Sequence, residues 1–342
     1  MRPRPARTIP PVVRHGGIVV FVVCLQAALY GAAVPRSTML LLQQAVINPL
    51  AGKTLYVDPN SAAQRQAETM RRSRPQDAEL LAQIANKPVA RWMGGWVRDI
   101  GREVDNAVTT ITRVGAVPVF VAYNIPGRDC GLYSAGGANG SNAYRGWIRS
   151  FADGLNGRQA IVIVEPDALA GMDCLTQPLQ QERIVLLGFA VATLKTQRAA
   201  VYVDAGNARW RSAEVMAARL RQVNVALADG FSLNVSNYLP DSVNIAYGER
   251  VSRLLDGKHF IIDTSRNGLG STATEWCNAR GQALGVAPTT NTGHPLVDAF
   301  LWVKQPGESD GNCKGGPNAG SWWTEIALEL SRAASTLART VK

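Results

Sequence analysis

The sequence predicts an α/β fold, a distorted parallel (β/α) barrel in a single domain. Three observations lead there. Short β-branched apolar runs alternate with helical patterns along most of the 342 residues. The runs are apolar throughout, which suits strands buried on both faces. About eight of them over about 300 residues fit a closed barrel better than two smaller domains.

The first strand is expected at Thr54–Val57, with a helical stretch over Ala62–Asn86 behind it. Strands then follow at Val89–Met93, Val117–Tyr123, Ala160–Val164, Ala200–Val203, Ser232–Val235, Phe260–Ile262 and Phe300–Val303. The helices between them fall at Arg102–Val114, Tyr144–Leu155, Gln180–Leu194, Ala213–Gln222 and Ile245–Leu255, with a last one at Thr324–Thr336. Alternation of this kind implies parallel strands joined by right-handed crossovers. A doubly wound open sheet is the alternative. Its dinucleotide-like string, Gly268-Leu269-Gly270, runs into a Ser/Thr and Trp276-Cys277 stretch with no helix starting at once, and reads as a loop.

Hydrophobic residues make up 46% of the chain and charged ones 18%, an ordinary globular composition. The net charge of +10 is uneven: residues 1–36 carry five arginines and no acid, leaving 31 basic against 26 acidic residues. That surplus is mild and scattered, and no nucleic-acid-binding signature accompanies it, so no nucleic-acid partner is expected. The basic stretch precedes the apolar run Gly17–Val34, with small residues at Ala32 and Ala33. Residues 1–36 therefore read as an export signal, or as a single membrane anchor if retained. Residues 37–342 form the working domain, secreted or held at the outer face of the membrane.

Cysteines agree with export. Cys24 lies in the leader, and Cys130, Cys174, Cys277 and Cys313 form an even set consistent with two disulfides. Four cysteines allow three pairings, and spacing does not choose among them. No CxxC occurs and the chain holds three histidines, so neither a metal site nor a cofactor is expected.

The chemistry lies with the acids. Asp129, Asp167, Asp204, Asp263 and Asp310 each sit at or just past the C-terminal end of an expected strand. Any one could be an N-cap or turn residue. In a parallel barrel, however, those ends share one face, where barrel enzymes keep their active sites. Clustered acids without metal ligands or a phosphate loop suggest glycosyl transfer to water, which needs one carboxyl that stays protonated beside others that stay charged. No GxSxG, HExxH or P-loop is present to support a rival chemistry. All eight tryptophans lie outside the leader. Trp147 and Trp302 fall inside element patterns and are expected in the core, whereas Trp92, Trp210 and Trp276 are candidate platforms for the apolar faces of sugar rings.

Several motifs together resemble glycoside hydrolase family 6, the cellulase family of endoglucanases and cellobiohydrolases. They are VAYNIPGRDC at 121–130 with the following GLYSAGG, IVIVEPDALA at 161–170, VDAG at 203–206, DTSRNG at 263–268, EWC at 275–277 and VKQPGESDG at 303–311. The resemblance spans about residues 50–335. It implies an incompletely closed barrel and hydrolysis of internal β-1,4-glucosidic bonds with inversion, acid and base standing about 6.5–9.5 Å apart to admit a water. A non-catalytic β-glucan-binding surface protein and an exo-acting cellobiohydrolase are the alternatives.

Residue by residue, the resemblance implies that Asp167 is the general acid, that Asp129 raises its proton affinity, and that Asp310 is the base, directly or through water. Asp204 would be a further subsite carboxylate. Tyr123 would press on the sugar at the cleavage point, and Ser134 would belong to a mobile water-guiding loop. Lys304 and Glu308 would bind sugar hydroxyls, with Arg128 and Asn237 also in the binding set. Trp92 and Trp276 would floor the non-reducing side and Trp210 the leaving-group side. Cys130 would pair with Cys174, and Cys277 with Cys313. The family usually has a histidine after DAG, where this chain has Asn207, which can still donate a hydrogen bond to sugar. The short Gly-rich stretch between Asp310 and Trp322 favours an open cleft and internal cutting. The expected partner is a polysaccharide, and the chain is expected to act as a monomer.

Overall fold

Seven parallel strands form one sheet in sequence order in the computed structural model, which describes residues 48–270 and 275–340. They are β1 (Arg91–Gly94), β2 (Val119–Tyr123), β3 (Ala160–Val164), β4 (Ala199–Asp204), β5 (Gly230–Leu233), β6 (His259–Asp263) and β7 (Val297–Leu301). The outer strands come close without pairing as a ladder: the Ala90 amide donates to the Trp302 carbonyl at 2.9 Å, and the Trp92 indole to the Val303 carbonyl at 2.8 Å. The barrel is curled and incompletely closed, as expected.

The helices are α1 (Ala62–Met70), α2 (Pro75–Ala85), α3 (Ile100–Arg113), α4 (Ser141–Leu155), α5 (Gln177–Leu194), α6 (Ala213–Gln222), α7 (Asp241–Leu254) and α8 (Thr324–Thr340). Local chemistry explains their starts. The Ser61, Asp99 and Ser212 side chains accept the amides of Gln64, Arg102 and Val215 at the heads of α1, α3 and α6. The single helix expected over 62–86 is two, because Pro75 has no amide to continue α1 and is suited instead to open α2. The strand expected at Thr54–Val57 is a lone parallel bridge from Leu55 to Val117. The last strand ends at Leu301, so Trp302 and Val303 already belong to the loop that follows.

Alternation along the strands sorts the core into two layers. Phe120, Ala122, Val162, Val164, Val201 and Phe260 face α3–α7. Val121, Tyr123, Ile161, Ile163, Ile261 and Leu301 face one another with no helical residue among them, filling the inside of the curl. A third cluster packs α1, α2 and α8 around the buried Trp302. Trp147 packs against the helix-facing layer. Trp302 is therefore a core residue, and Trp147 lies partly buried at the core's edge.

The fold puts the C-terminal ends of all strands on one side, so the loops after them converge. The expected leader lies outside the described residues, and among those no helix is long and apolar enough to cross a membrane. Phe260 is fully buried, stacks on Phe231 at 5.3 Å, and sits where a Cβ on Gly248 of α7 would come within 2.4 Å of its ring. Phe260→Ala should cost about 3–5 kcal/mol, visible as a lower urea midpoint with an unchanged slope.

Candidate active site

The converging loops enclose a cavity of about 970 Å³. Asp129, Asp167 and Asp310 line it, while Asp204 and Asp263 lie behind its wall. The five strand-end acids therefore divide into a cavity set and a buried set.

Asp167 follows β3 through a sharp turn. Glu165 and Asp167 have φ of +50° and +69°, a left-handed conformation that side chains adopt at a cost of roughly 1–2 kcal/mol each. The turn aims the Asp167 carboxyl into the cavity while its amide donates to Asp204 Oδ1 at 3.0 Å. Burial, then the like charges of Asp204, Asp129 and Asp310, hold this carboxyl well above the ordinary range for aspartate. It keeps its proton where most carboxyls have lost theirs.

Asp204 differs from the expected subsite carboxylate. It is buried, and its oxygens are occupied by the amides of Asp167 and Gly206 and by the Ser232 hydroxyl, all at 3.0 Å. Burial pushes it to about 6 despite these donors. It positions the Asp167 turn and adds charge from behind. Gly206, at φ +67°, closes the turn after it, where a Cβ would meet Ala170 at 2.7 Å and the Trp210 ring at 3.2 Å. Asp263 accepts four backbone amides, those of Ser236, Ser265, Val303 and Lys304, and so ties three strand-end loops together.

Asp310 has the opposite environment. Burial by itself would raise it, but Arg266 Nη1 reaches both carboxylate oxygens at 2.9 Å and Lys304 Nζ lies 3.7 Å away. The Tyr238 hydroxyl and the Asn278 amide donate as well, at 3.2 and 2.9 Å. The balance leaves Asp310 below the usual carboxylate range, ionised beside a protonated Asp167.

Asp129 is half-buried on a short turn with φ of +57°, and its Oδ2 accepts the Ser134 amide at 2.6 Å. Burial raises it, against Arg128 and that amide. Arg128 fastens the same loop: Nε donates to the Ser134 carbonyl and Nη1 to the Tyr123 carbonyl, at 2.8 and 2.9 Å. Its guanidinium lies over the rings of Tyr123 and Trp96, 4.8 and 5.1 Å from their centroids.

Trp92, Trp210 and Trp276 all line the cavity, as do Asn207, Asn237, Lys304 and Glu308. Trp92 stands edge-on to Tyr123 at 5.0 Å. Asn207 is mostly buried, and its side-chain carbonyl caps the Arg209 amide at 3.0 Å. Lys304 Nζ lies between Glu308 Oε2 at 3.9 Å and Asp310. Cys130 is bonded to Cys174 and Cys277 to Cys313, the pairing the resemblance implied. The first bridge ties the Asp129 turn to the loop behind Asp167, and the second braces the Trp276 loop against the Asp310 loop.

Sequence reasoning missed several residues here. Trp96 is exposed at the cavity wall beside Arg128, and Tyr133 packs on Trp276 at 6.0 Å. Arg266 lies within the DTSRNG string, and neither it nor Tyr238 is among the residues that the sequence marks for the site. An arginine three residues after the strand-end Asp263 is the local signal for a cation at this face, although it does not identify Asp310 as the partner. Nothing local marks Tyr238, which reaches Asp310 across 72 residues of sequence.

Comparison with known proteins fits this geometry. The family model described as "Glycosyl hydrolases family 6" matches residues 50–334. Endoglucanase A of Cellulomonas fimi is 45% identical over 280 residues, covering 81% of this chain and 60% of that protein. Endoglucanase 1 of Streptomyces halstedii is 42% identical over 288 residues, covering 80% and 87%. The solved structure of the endoglucanase Cel6 from Mycobacterium tuberculosis, in complex with a thio-linked methyl-cellobiosyl cellobioside, superposes with a TM-score of 0.80 at 47% identity. That match covers 84% of this chain and 99% of the other.

Arg266→Met would leave the Asp310 carboxylate buried without its closest cation, at a cost of about 3–5 kcal/mol at pH 7. In the parent, a lowered carboxyl contributes stability that is complete above the unfolded value and lost as pH falls through the folded one. In the variant the carboxyl rises and takes up a proton as pH falls, so the gap should narrow in acid. Urea unfolding of both proteins at pH 7 and pH 4 measures this.

Proposed function

The chain belongs to glycosyl hydrolase family 6, and from that membership we propose that it hydrolyses internal β-1,4-glucosidic bonds of cellulose or a related β-glucan with inversion. The observation that carries the reading is the contrast between two carboxyls on one cavity. Asp167 is held protonated by burial and neighbouring acids, and Asp310 is held ionised by Arg266 and Lys304. Inverting hydrolysis needs one acid and one base, and the two environments support Asp167 as the acid and Asp310 as the base.

In the reaction, Asp167 delivers its proton to the glycosidic oxygen as the C1–O bond breaks. Positive charge grows on C1 and the ring oxygen, in a site lined by Asp129 and Asp310. A water attacks C1 from the opposite face and passes its proton to Asp310, directly or through a second water. The new hemiacetal has the α configuration, and the protonated glycosidic oxygen departs as the C4 hydroxyl of the leaving chain. Asp129 serves the cycle by keeping Asp167 protonated between turns. Tyr123 and Trp92 form the wall at the cleavage point, and Trp276 and Trp210 are the flat surfaces on either side.

Internal cutting follows from the short loop after Asp310. Residues 311–321 make one tight turn at Cys313–Gly315, pinned by the disulfide, and supply little material to roof the cleft. The relatives named endoglucanase are in keeping with this. Two disulfides suit an oxidising compartment, so the enzyme acts outside the cytosol, as a secreted monomer or one tethered by its leader.

Asp167→Ala should lower reducing-sugar release from carboxymethyl-cellulose by about 10²–10⁴-fold, the usual worth of general acid catalysis, with folding retained by circular dichroism. Proton NMR of a soluble oligoglucan should show the α anomer as first product; initial release of the β anomer would overturn the assignment. Asp129→Asn removes a negative neighbour from Asp167, so the alkaline limb of kcat/KM should move to lower pH.

A further inference from the structure

A second buried group lies directly behind the acid. Glu165 is 1% exposed, and nothing in the reaction described above employs it. Its carboxylate turns away from the cavity and accepts the Asn124 amide at 2.9 Å and the Ile125 amide at 3.0 Å. Those amides open the loop that leads from β2 to Asp129. The same loop is held from its other side by Arg183 of α5, also buried. Arg183 Nη2 donates to the Pro126 and Gly127 carbonyls, both at 2.8 Å, and its Nη1 reaches towards the Ala168 carbonyl one residue past Asp167. Four consecutive residues before the Asp129 turn are therefore fixed by two side chains that also touch the Asp167 turn.

We propose that Glu165 and Arg183 are positioning residues that set the separation between Asp129 and Asp167. The inference rests on the glycosidase reading for its purpose, but not for its geometry. A surface hydrogen bond could not serve as well, since water would compete for every one of these peptide groups. Here the Asn124 and Ile125 amides are buried and would be left without a partner if Glu165 were lost, while the Pro126 and Gly127 carbonyls are only partly buried and are held by a guanidinium that is itself buried. The backbone is left-handed at both Glu165 and Asp167, where Glu165 faces the β2 loop and Asp167, two residues on, lines the cavity.

The consequence is electrostatic. Asp129 raises the Asp167 carboxyl through like charge, an effect that weakens as the two draw apart. The groups that face Glu165 are Tyr144 of α4, Arg128 and Tyr123 of the β2 segment, and Arg183 of α5. Burial brings Glu165 itself to about 7, against the amides, the Tyr144 hydroxyl and Arg128. Both amides reach the same carboxylate oxygen, Oε2, so a side chain of the same shape with one acceptor oxygen can hold them.

The test is the titration of Asp167, followed by carboxyl ¹³C NMR and assigned with Asp167→Asn, in the full-length protein. Glu165→Gln keeps an oxygen for both amides and should leave the midpoint unchanged. Glu165→Leu should lower it by about one pH unit, the scale of a like charge withdrawn from a few ångströms. Arg183→Met, which frees the loop from its carbonyl side, should lower it too and serves if Glu165→Leu does not fold. An unchanged midpoint in a folded Glu165→Leu or Arg183→Met, with only the urea midpoint reduced, would overturn the proposal. The measurement needs no turnover, so it stands or falls apart from the assigned reaction; a parent protein inactive on every β-glucan would count against that reaction alone.

Discussion

A carboxyl that must stay protonated in a site built of other carboxyls is the constraint on which the rest of the structure depends. Desolvation favours the neutral form of Asp167, and Asp204, Asp129 and Asp310 add like charge around it. Neither effect survives loose geometry. Water entering behind the acid would remove the first, and a few ångströms of drift would weaken the second. The structure meets this with backbone. Asp204 holds the Asp167 amide, Asp263 holds four amides from three loops, and Glu165 holds two more. Buried acids that touch no substrate thus fix the ones that line the cavity.

The same cavity must also keep Asp310 charged. Arg266, Lys304 and Tyr238 converge on it from the β6, β7 and β5 loops, so these two cations and a hydroxyl surround Asp310, while Asp204 and Asp129 crowd Asp167. Two aspartates of identical intrinsic chemistry are pushed in opposite directions by their neighbours. The disulfides follow that division, one behind each member of the pair. The aromatic platforms need less accuracy, because a flat ring tolerates sliding of the sugar across it, and they sit on more exposed ground.

Much of this was legible in the sequence. Short, β-branched apolar runs such as Ala160–Val164 read as strands buried on both faces, and their alternation with helices implies a parallel sheet whose C-terminal ends share a side. Once that is granted, a strand-end acid belongs near the cavity. What the strand pattern could not resolve were local contests of a residue or two. Thr54–Val57 has strand character but finds a single bridge at the barrel's edge, and Pro75 divides a helical pattern by removing one amide.

The sequence by itself determined the barrel, the face that carries the chemistry, and the residue types available there, because periodicity and chain order act over short distances along the backbone. Tertiary structure alone decided which acids meet solvent and which are spent on peptide groups. Asp204 is the last residue of β4 and Asp167 lies three residues past the end of the adjacent β3, yet one is saturated by three donors and the other opens on the cavity. Proton affinity depends on burial and on charges brought together from loops tens of residues apart. No local pattern encodes those distances, so the roles of Glu165, Arg266 and Tyr238 emerge only once the chain has folded.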